Sequence, residues 1–515
     1  MHLKPMFSYA AVPCAVIFIY QQRNIIERNH EMNSATKKKY LNIVIAAIIF
    51  ALIRIFLKPG NGLTDAGVTV LALFVATIWM WVFIGVDWTS LLVPAIMIMT
   101  GVLGQTDMLA KSFGNFCFAF VLTAMLLNEA LTSTGVIQHI ATWFISRKIC
   151  KGRPWVFVTM FLLSCFLVEL FLDCTPVTLI YLTMIDGVCK ELGYEKGSKF
   201  GKALTAAVIW LVAVGYAATP IAHPIAVIMM GYIEAAGGSI SFIQYMAIGI
   251  PYGFLFFGLT IGALRLLCNP DFSNFENYDI DKKRAEMEPL SKQAKISVVV
   301  FLLVVLMWMM PDALAAVFPT LSAYFAGVGV VAPAILGIVL LAVIHVDNKP
   351  VMDVKSAVYK ISIPTLIFIV GIQSFANTLN SDVTGVSTFL ANIFSPIAAN
   401  LSGTALVWIA LLLAIILTQF LSNLVVQALL WPVFLPVILA ANAAGAGINV
   451  VAFGVILSII CNASFLFPSS YVCAAMCYGT GYLEVKDGLK IGTPVVVATY
   501  LLIMLICWPL AQVIC

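Results

Sequence analysis

Apolar segments long enough to cross a lipid bilayer recur from one end of this chain to the other, and that feature excludes most folds. A hydrocarbon core about 30 Å thick needs roughly 20 mostly apolar residues in a helix. Such runs fall at about 41–57, 67–84, 88–104, 113–146, 203–232, 247–268, 294–312, 321–346, 361–380, 450–481 and 493–515. Only 10% of the 515 residues are charged, against about 25% in a soluble domain. The runs are continuous, without period-two alternation, so a transmembrane β-barrel is excluded. The sequence predicts an all-α polytopic membrane protein with about 11 transmembrane helices.

The net charge of +4 says little; the positions of the lysines and arginines say more. Basic clusters occur at Arg23–Lys39, at Arg147, Lys148, Lys151 and Arg153, at Lys190–Lys202, at Lys282–Lys295 and at Lys349–Lys360. The positive-inside rule places them in the cytoplasm. The second and third clusters flank the apolar segment 154–190 on both sides, which reads as a re-entrant helical hairpin opening inward. A similar segment, 404–441, sits in a stretch from Ile361 to Val485 without lysine or arginine, as suits a hairpin opening outward. The stretch Met6–Tyr20 is too short to span comfortably and lacks a cleavage pattern after it. It is read as an extra or interfacial helix, with the N-terminus cytoplasmic if it does not span. The 12 cysteines form no C-x-x-C pair, and Cys473 and Cys477 read as small buried residues.

The two hairpin regions resemble each other. Glu169-Leu-Phe-Leu-Asp-Cys-Thr175 parallels Thr418-Gln-Phe-Leu-Ser-Asn-Leu424. Roughly fifty residues later, Ala218-Thr-Pro-Ile-Ala-His-Pro224 parallels Phe465-Leu-Phe-Pro-Ser-Ser-Tyr471. Internal similarity with opposite charge flanks predicts an inverted-topology repeat. Irregular backbone at membrane depth must be buried in protein or line an aqueous cavity. Its free carbonyls suit a cation such as Na⁺, and its helix N-termini suit an anion. Glu169 and Asp173 are four apart, so on one helix their carboxyls share a face, and acids at membrane depth are functional candidates. They point to a proton, or a cation held by carboxylates, with His223 as a partner for Asp173 or as a helix cap. Glu129 reads either as a lone buried acid or as a residue reaching an interface.

At these residues the chain resembles the divalent anion:sodium symporter family of the ion-transporter superfamily. That family carries a Ser-Asn-Thr signature at each hairpin tip, partnered by a Thr-Pro-type loop in the following broken helix. Ser422-Asn423 matches the second signature in its first two positions; Asp173-Cys174-Thr175 keeps only the threonine of the first. The resemblance implies an elevator mechanism. It assigns 41–153 and 294–403 to a scaffold and 154–268 and 404–515 to a transport domain, while the positive-inside rule makes 1–40 a cytoplasmic arm and 269–293 a cytoplasmic loop. It further implies a homodimer and one sodium ion near each tip. The second ion would use Thr418, Ser422, Asn423 and backbone near Ser470; the first would use Glu169, Asp173, Cys174 and backbone near Ala222. The anion would rest on backbone amides and on hydroxyls such as Thr219, Ser469 and Ser470, with Thr175 at the first tip.

The leading expectation is a secondary carrier for a small organic anion, a di- or tricarboxylate, coupled to Na⁺, H⁺ or both, with no other cofactor. The alternatives are a cation/proton antiporter using the Glu169/Asp173 pair, or a membrane-embedded enzyme. No H-E-x-x-H, nucleophile-elbow or phosphate-loop pattern supports the enzyme. Basic residues confined to membrane flanks give a nucleic-acid partner no support.

Overall fold

The computed structural model describes residues 36–379, 381–398 and 401–515; Met6–Tyr20, Arg23 and Arg28 lie outside them. The described residues are mostly helical, and a two-residue strand pair at His345–Val346 and Lys349–Pro350 is the one sheet among them. Seven described helices are long and apolar enough to span, and the others of apolar character are shorter or broken. Helix starts follow local chemistry. Ser198, Ser241, Ser291, Ser402 and Asn449 each accept a backbone N–H of the first turn that has no carbonyl partner within the helix.

The two expected hairpins are present. The first joins Pro154–Glu169 to Cys174–Glu191, and the second joins Gly403–Leu417 to Asn423–Ala443. Each is followed by a helix broken at mid-course. In the first half Lys199–Gly215 stops and Pro224–Ala235 resumes; in the second Val450–Cys461 stops and Val472–Gly479 resumes. The hairpins open to opposite ends of the molecule. At the base of the first, Lys202 pairs with Asp487 at 2.6 Å and Asp186 accepts from the Tyr482 hydroxyl at 3.1 Å. The base of the second lies beside the Gly237–Ser241 turn, where Gly238 packs on Val451. That turn also meets the chain's end, since Gln244 donates to the Ile514 carbonyl.

Burial separates two kinds of helix. Every residue from Ala203 to Gly215 is buried, so the first broken helix runs through the core. By contrast Lys292–Leu314 exposes Val299, Leu302, Leu303 and Leu306 along one side, as a lipid-facing helix must. Close approach positions the first break. A Cβ on Gly249 would lie 2.2 Å from the Ala218 carbonyl oxygen, so only glycine lets helix Phe242–Ala263 seat against it.

Three expected single spans are corrected. The run 113–146 divides into Phe116–Ser133 and Val136–Ile145 at Gly135, whose φ is 77°. The run 321–346 bends by 70° between Pro319–Val328 and Val331–Val343, beside Gly329 at φ 67°. The run 88–104 ends its helix at Met99, and a short helix Gln105–Lys111 follows. Glycine adopts the left-handed region without a Cβ penalty, and an apolar pattern alone does not register that turn. Helix Val386–Ala398, packed on Asn423–Ala443, has no counterpart in the apolar runs.

Candidate functional site

The two tips and the two breaks meet around one cavity of about 430 Å³. Its wall contains Asp173, Cys174 and Thr175 from the first tip, His223 and Tyr216 from the first break, Ser422 and Asn423 from the second tip, and Ser469, Ser470 and Tyr471 from the second break. Met125, Ser362 and Thr365 close it from two other helices. Four helices begin at this wall: Cys174–Glu191, Pro224–Ala235, Asn423–Ala443 and Val472–Gly479, with Asp173, His223, Ser422 and Tyr471 as their N-cap residues. Their dipoles present partial positive charge to the cavity, although no lysine or arginine lines it among the described residues.

At the first tip the chain leaves the helix after Glu169, turns through Leu170–Leu172, and re-enters at Asp173. Asp173 Oδ1 accepts the Thr175 N–H at 3.0 Å, and Thr219 Oγ1 donates to the Leu170 carbonyl at 2.5 Å, fastening the broken helix to the tip. The expectation that Glu169 and Asp173 share a helix face is therefore overturned. They belong to different helices, because the cap at Asp173 starts a new one. Glu169 sits behind the tip, fully buried against Gly215, and neither of its carboxyl oxygens has a hydrogen-bond partner among the described residues. The pairing of His223 with Asp173 gives way to the capping role: His223 Nδ1 accepts from the Ile225 N–H at 3.4 Å, and its ring lies 4.4 Å from that of Tyr216.

The second tip is built from neutral groups. Thr418 donates to the Cys461 carbonyl, and Gln419 donates to the Ala463 carbonyl at 2.6 Å while accepting from Phe465 N–H at 3.0 Å. The Asn423 amide nitrogen donates to the Tyr216 hydroxyl at 2.6 Å and to Asn462 Oδ1 at 2.9 Å; its oxygen accepts the Leu424 N–H at 2.9 Å. Tyr216 and Asn462 are the C-cap residues of the two broken helices, so one amide joins both repeats. Ser470 donates to the Phe467 carbonyl at 2.6 Å, and the Tyr471 hydroxyl donates to the Ile209 carbonyl at 2.6 Å.

Of the residues singled out in the sequence, Asp173, Cys174, Thr175, His223, Ser422, Asn423, Ser469 and Ser470 line the cavity together. Ala222 lines a narrow crevice beside it that also touches Asp173 and His223. Thr219, Thr418 and Glu169 are buried behind the wall, and the hydroxyls of Thr219 and Thr418 fasten it. Glu129 is not a lone acid: it pairs with Lys360 at 2.6 Å. The sequence reading missed Tyr216, Met125, Ser362 and Thr365. The Ser362-Ile-Pro364 start of helix Ile363–Leu379 is a helix-opening pattern that could have drawn attention to that end.

Comparison with known proteins bears on this arrangement. Residues 37–514 match the family model described as the sodium:sulfate symporter transmembrane region. A sodium-dependent dicarboxylate transporter, SdcS, of Staphylococcus aureus (strain bovine RF122) is 23% identical over 510 residues, covering 95% of this chain and 96% of that protein. The SdcS of Staphylococcus saprophyticus is 26% identical over 293 residues, 54% of this chain and 56% of that protein. The solved YdaH transporter of Alcanivorax borkumensis superposes with a TM-score of 0.58 at 13% identity, covering 85% of this chain and 98% of that one. This last likeness is one of fold.

Proposed function

Since the chain belongs to the sodium:sulfate symporter family, the divalent anion:sodium symporters anticipated above, and is a multi-pass membrane transporter and not an enzyme, we propose that it carries a small dicarboxylate with Na⁺ through the cavity between the hairpin tips. One observation carries this reading: four helix N-termini from two repeats open onto a single cavity with no lysine or arginine on its wall among the described residues. Backbone amides and dipoles can hold carboxylates there, and co-bound cations offset the charge that the wall leaves unbalanced. A volume of about 430 Å³ falls in the range of small-molecule sites.

Na⁺ at the second tip would meet neutral oxygens of Ser422, Asn423 and Ser470, which share the cavity wall. Thr418 would act from behind, by fixing the tip to the Cys461 carbonyl. Asp173 is the one carboxylate on the wall among the described residues, and it is the group through which a second cation or a proton would act at the first tip. Met125, Ser362 and Thr365 would belong to the scaffold against which the hairpin regions slide as an elevator, in a homodimer, with transport-domain limits near 154–268 and 404–515.

Uptake by proteoliposomes tests this. Radiolabelled dicarboxylate should accumulate on an inward Na⁺ jump. Absence of such uptake, together with Na⁺-driven proton efflux, would replace the proposal by the antiporter reading.

A further inference from the structure

A second feature, away from the transport cavity, joins the first hairpin to its neighbours. Between helices Val136–Ile145 and Lys292–Leu314 on one side and the first hairpin on the other lies an apolar crevice of about 370 Å³. Its wall includes Ile140, Phe144, Leu167, Phe171 and Val298. Three residues beyond Phe144 on the same strand of chain, a second hollow opens, lined by Arg147, Lys148, Arg284 and Met160. Met160 lies on the first hairpin helix, and Phe171 at its tip. At 1.5 Å per residue this path is about 16 Å long, close to half of a hydrocarbon core about 30 Å thick.

The charged end is only partly neutralised. Lys151 and Arg284 share Asp281, Arg284 at 3.1 Å, and the Lys151 hydrogen bond holds the Asp281 carboxyl below the usual carboxylate range. Arg147 donates from Nε to the Trp143 carbonyl at 2.8 Å, with its guanidinium 3.9 Å from the Trp143 ring centre. Among the described residues neither Arg147 nor Lys148 forms an ion pair with an acid. An indole-stacked arginine and a lysine that forms no ion pair among the described residues stand about one helical turn from the Phe144 end of a dry crevice. A soluble anion would use the charges and leave the slot empty; an amphiphile uses both.

We propose that this groove is a binding site for an anionic phospholipid. The phosphate sits among Arg147, Lys148 and Arg284, and one acyl chain fills the crevice toward Phe171. Basic hollows between membrane helices on the cytoplasmic side are suited to such headgroups. The lipid then forms part of the contact between the first hairpin and its neighbours, so the composition of the inner leaflet bears on how that hairpin is held.

The test is lipid retention by the full chain in nanodiscs of phosphatidylcholine with or without phosphatidylglycerol, read by native mass spectrometry. Wild type should retain phosphatidylglycerol in preference to phosphatidylcholine. R147Q combined with K148Q should weaken that retention about thirtyfold, as expected for two surface charges. V298W, which leaves every charge in place and fills the slot, should weaken it as well. Equal retention of the two lipids, unchanged retention in both variants, or displacement of the lipid by soluble glycerol phosphate would each overturn the proposal.

Discussion

The two hairpin tips occupy equivalent places in the repeat and are finished with different chemistry. At the first, a carboxylate caps its own helix: Asp173 turns back to the Thr175 N–H. At the second, Ser422 makes no side-chain cap bond, and Asn423 reaches out to Tyr216 in the other half of the molecule. Repetition of the backbone thus places two helix starts at one cavity, while the side chains give one tip an ionisable carboxyl and the other a neutral, cross-linked amide. The shared frame accounts for where the tips are. Their residues decide what each can hold.

Breaking the second tip should have the largest effect. Asn423→Ala removes the bonds to Tyr216 and Asn462 and leaves buried polar atoms without partners, a cost of about 1–3 kcal/mol for each group. Dicarboxylate uptake should fall more than tenfold, with a raised Na⁺ requirement in proteoliposomes; unchanged Na⁺ dependence would remove Asn423 from the ion site. Next comes the packing that holds the first break in place. Gly249→Ala must displace the Ala218 carbonyl and should destabilise the protein by about 1–3 kcal/mol in detergent unfolding. Gly258→Ala, with nothing within 4 Å of the new methyl, should stay within about 0.5 kcal/mol.

Asp173→Asn sharpens the contrast between the tips. Asparagine caps a helix as well as aspartate does, so the fold should persist while the pH dependence of uptake is blunted. A wild-type pH profile in this variant would assign the proton response elsewhere, with Glu169→Gln as the next variant to measure. The smallest effect on transport belongs to Tyr216→Phe, which removes one hydroxyl acceptor of Asn423. A loss of about 1 kcal/mol, a few-fold in transport rate, should be rescued by nothing at the first tip if the two tips act separately.

Much of this was legible along the chain, for identifiable reasons. Apolar length marks the chain as helical and membrane-embedded, because lipid cannot hydrogen-bond exposed backbone, but it gave about 11 crossings where seven described helices are long and apolar enough to span. The flanking lysines give the first hairpin's two ends a common side, and the chain does turn back on itself between Pro154–Glu169 and Cys174–Glu191. The motif residues Asp173, His223, Ser422, Asn423, Ser469 and Ser470 stood out because polar groups and prolines interrupt otherwise uniform apolar sequence.

What the sequence could not provide were distances between segments far apart in the chain. Spacing by four placed Glu169 and Asp173 on one helix face, whereas the turn after Glu169 puts one behind the wall and the other on it. Tyr216 looked like one more apolar residue at a helix end until folding brought Asn423 beside it, 207 positions away. Met125, Ser362 and Thr365 carry no local signal because their role comes from the closure of two other helices over the tips. Local chemistry thus determined the helices, their caps and their breaks. Only long-range packing, which depends on surfaces formed after those elements exist, decided which of their ends share a cavity.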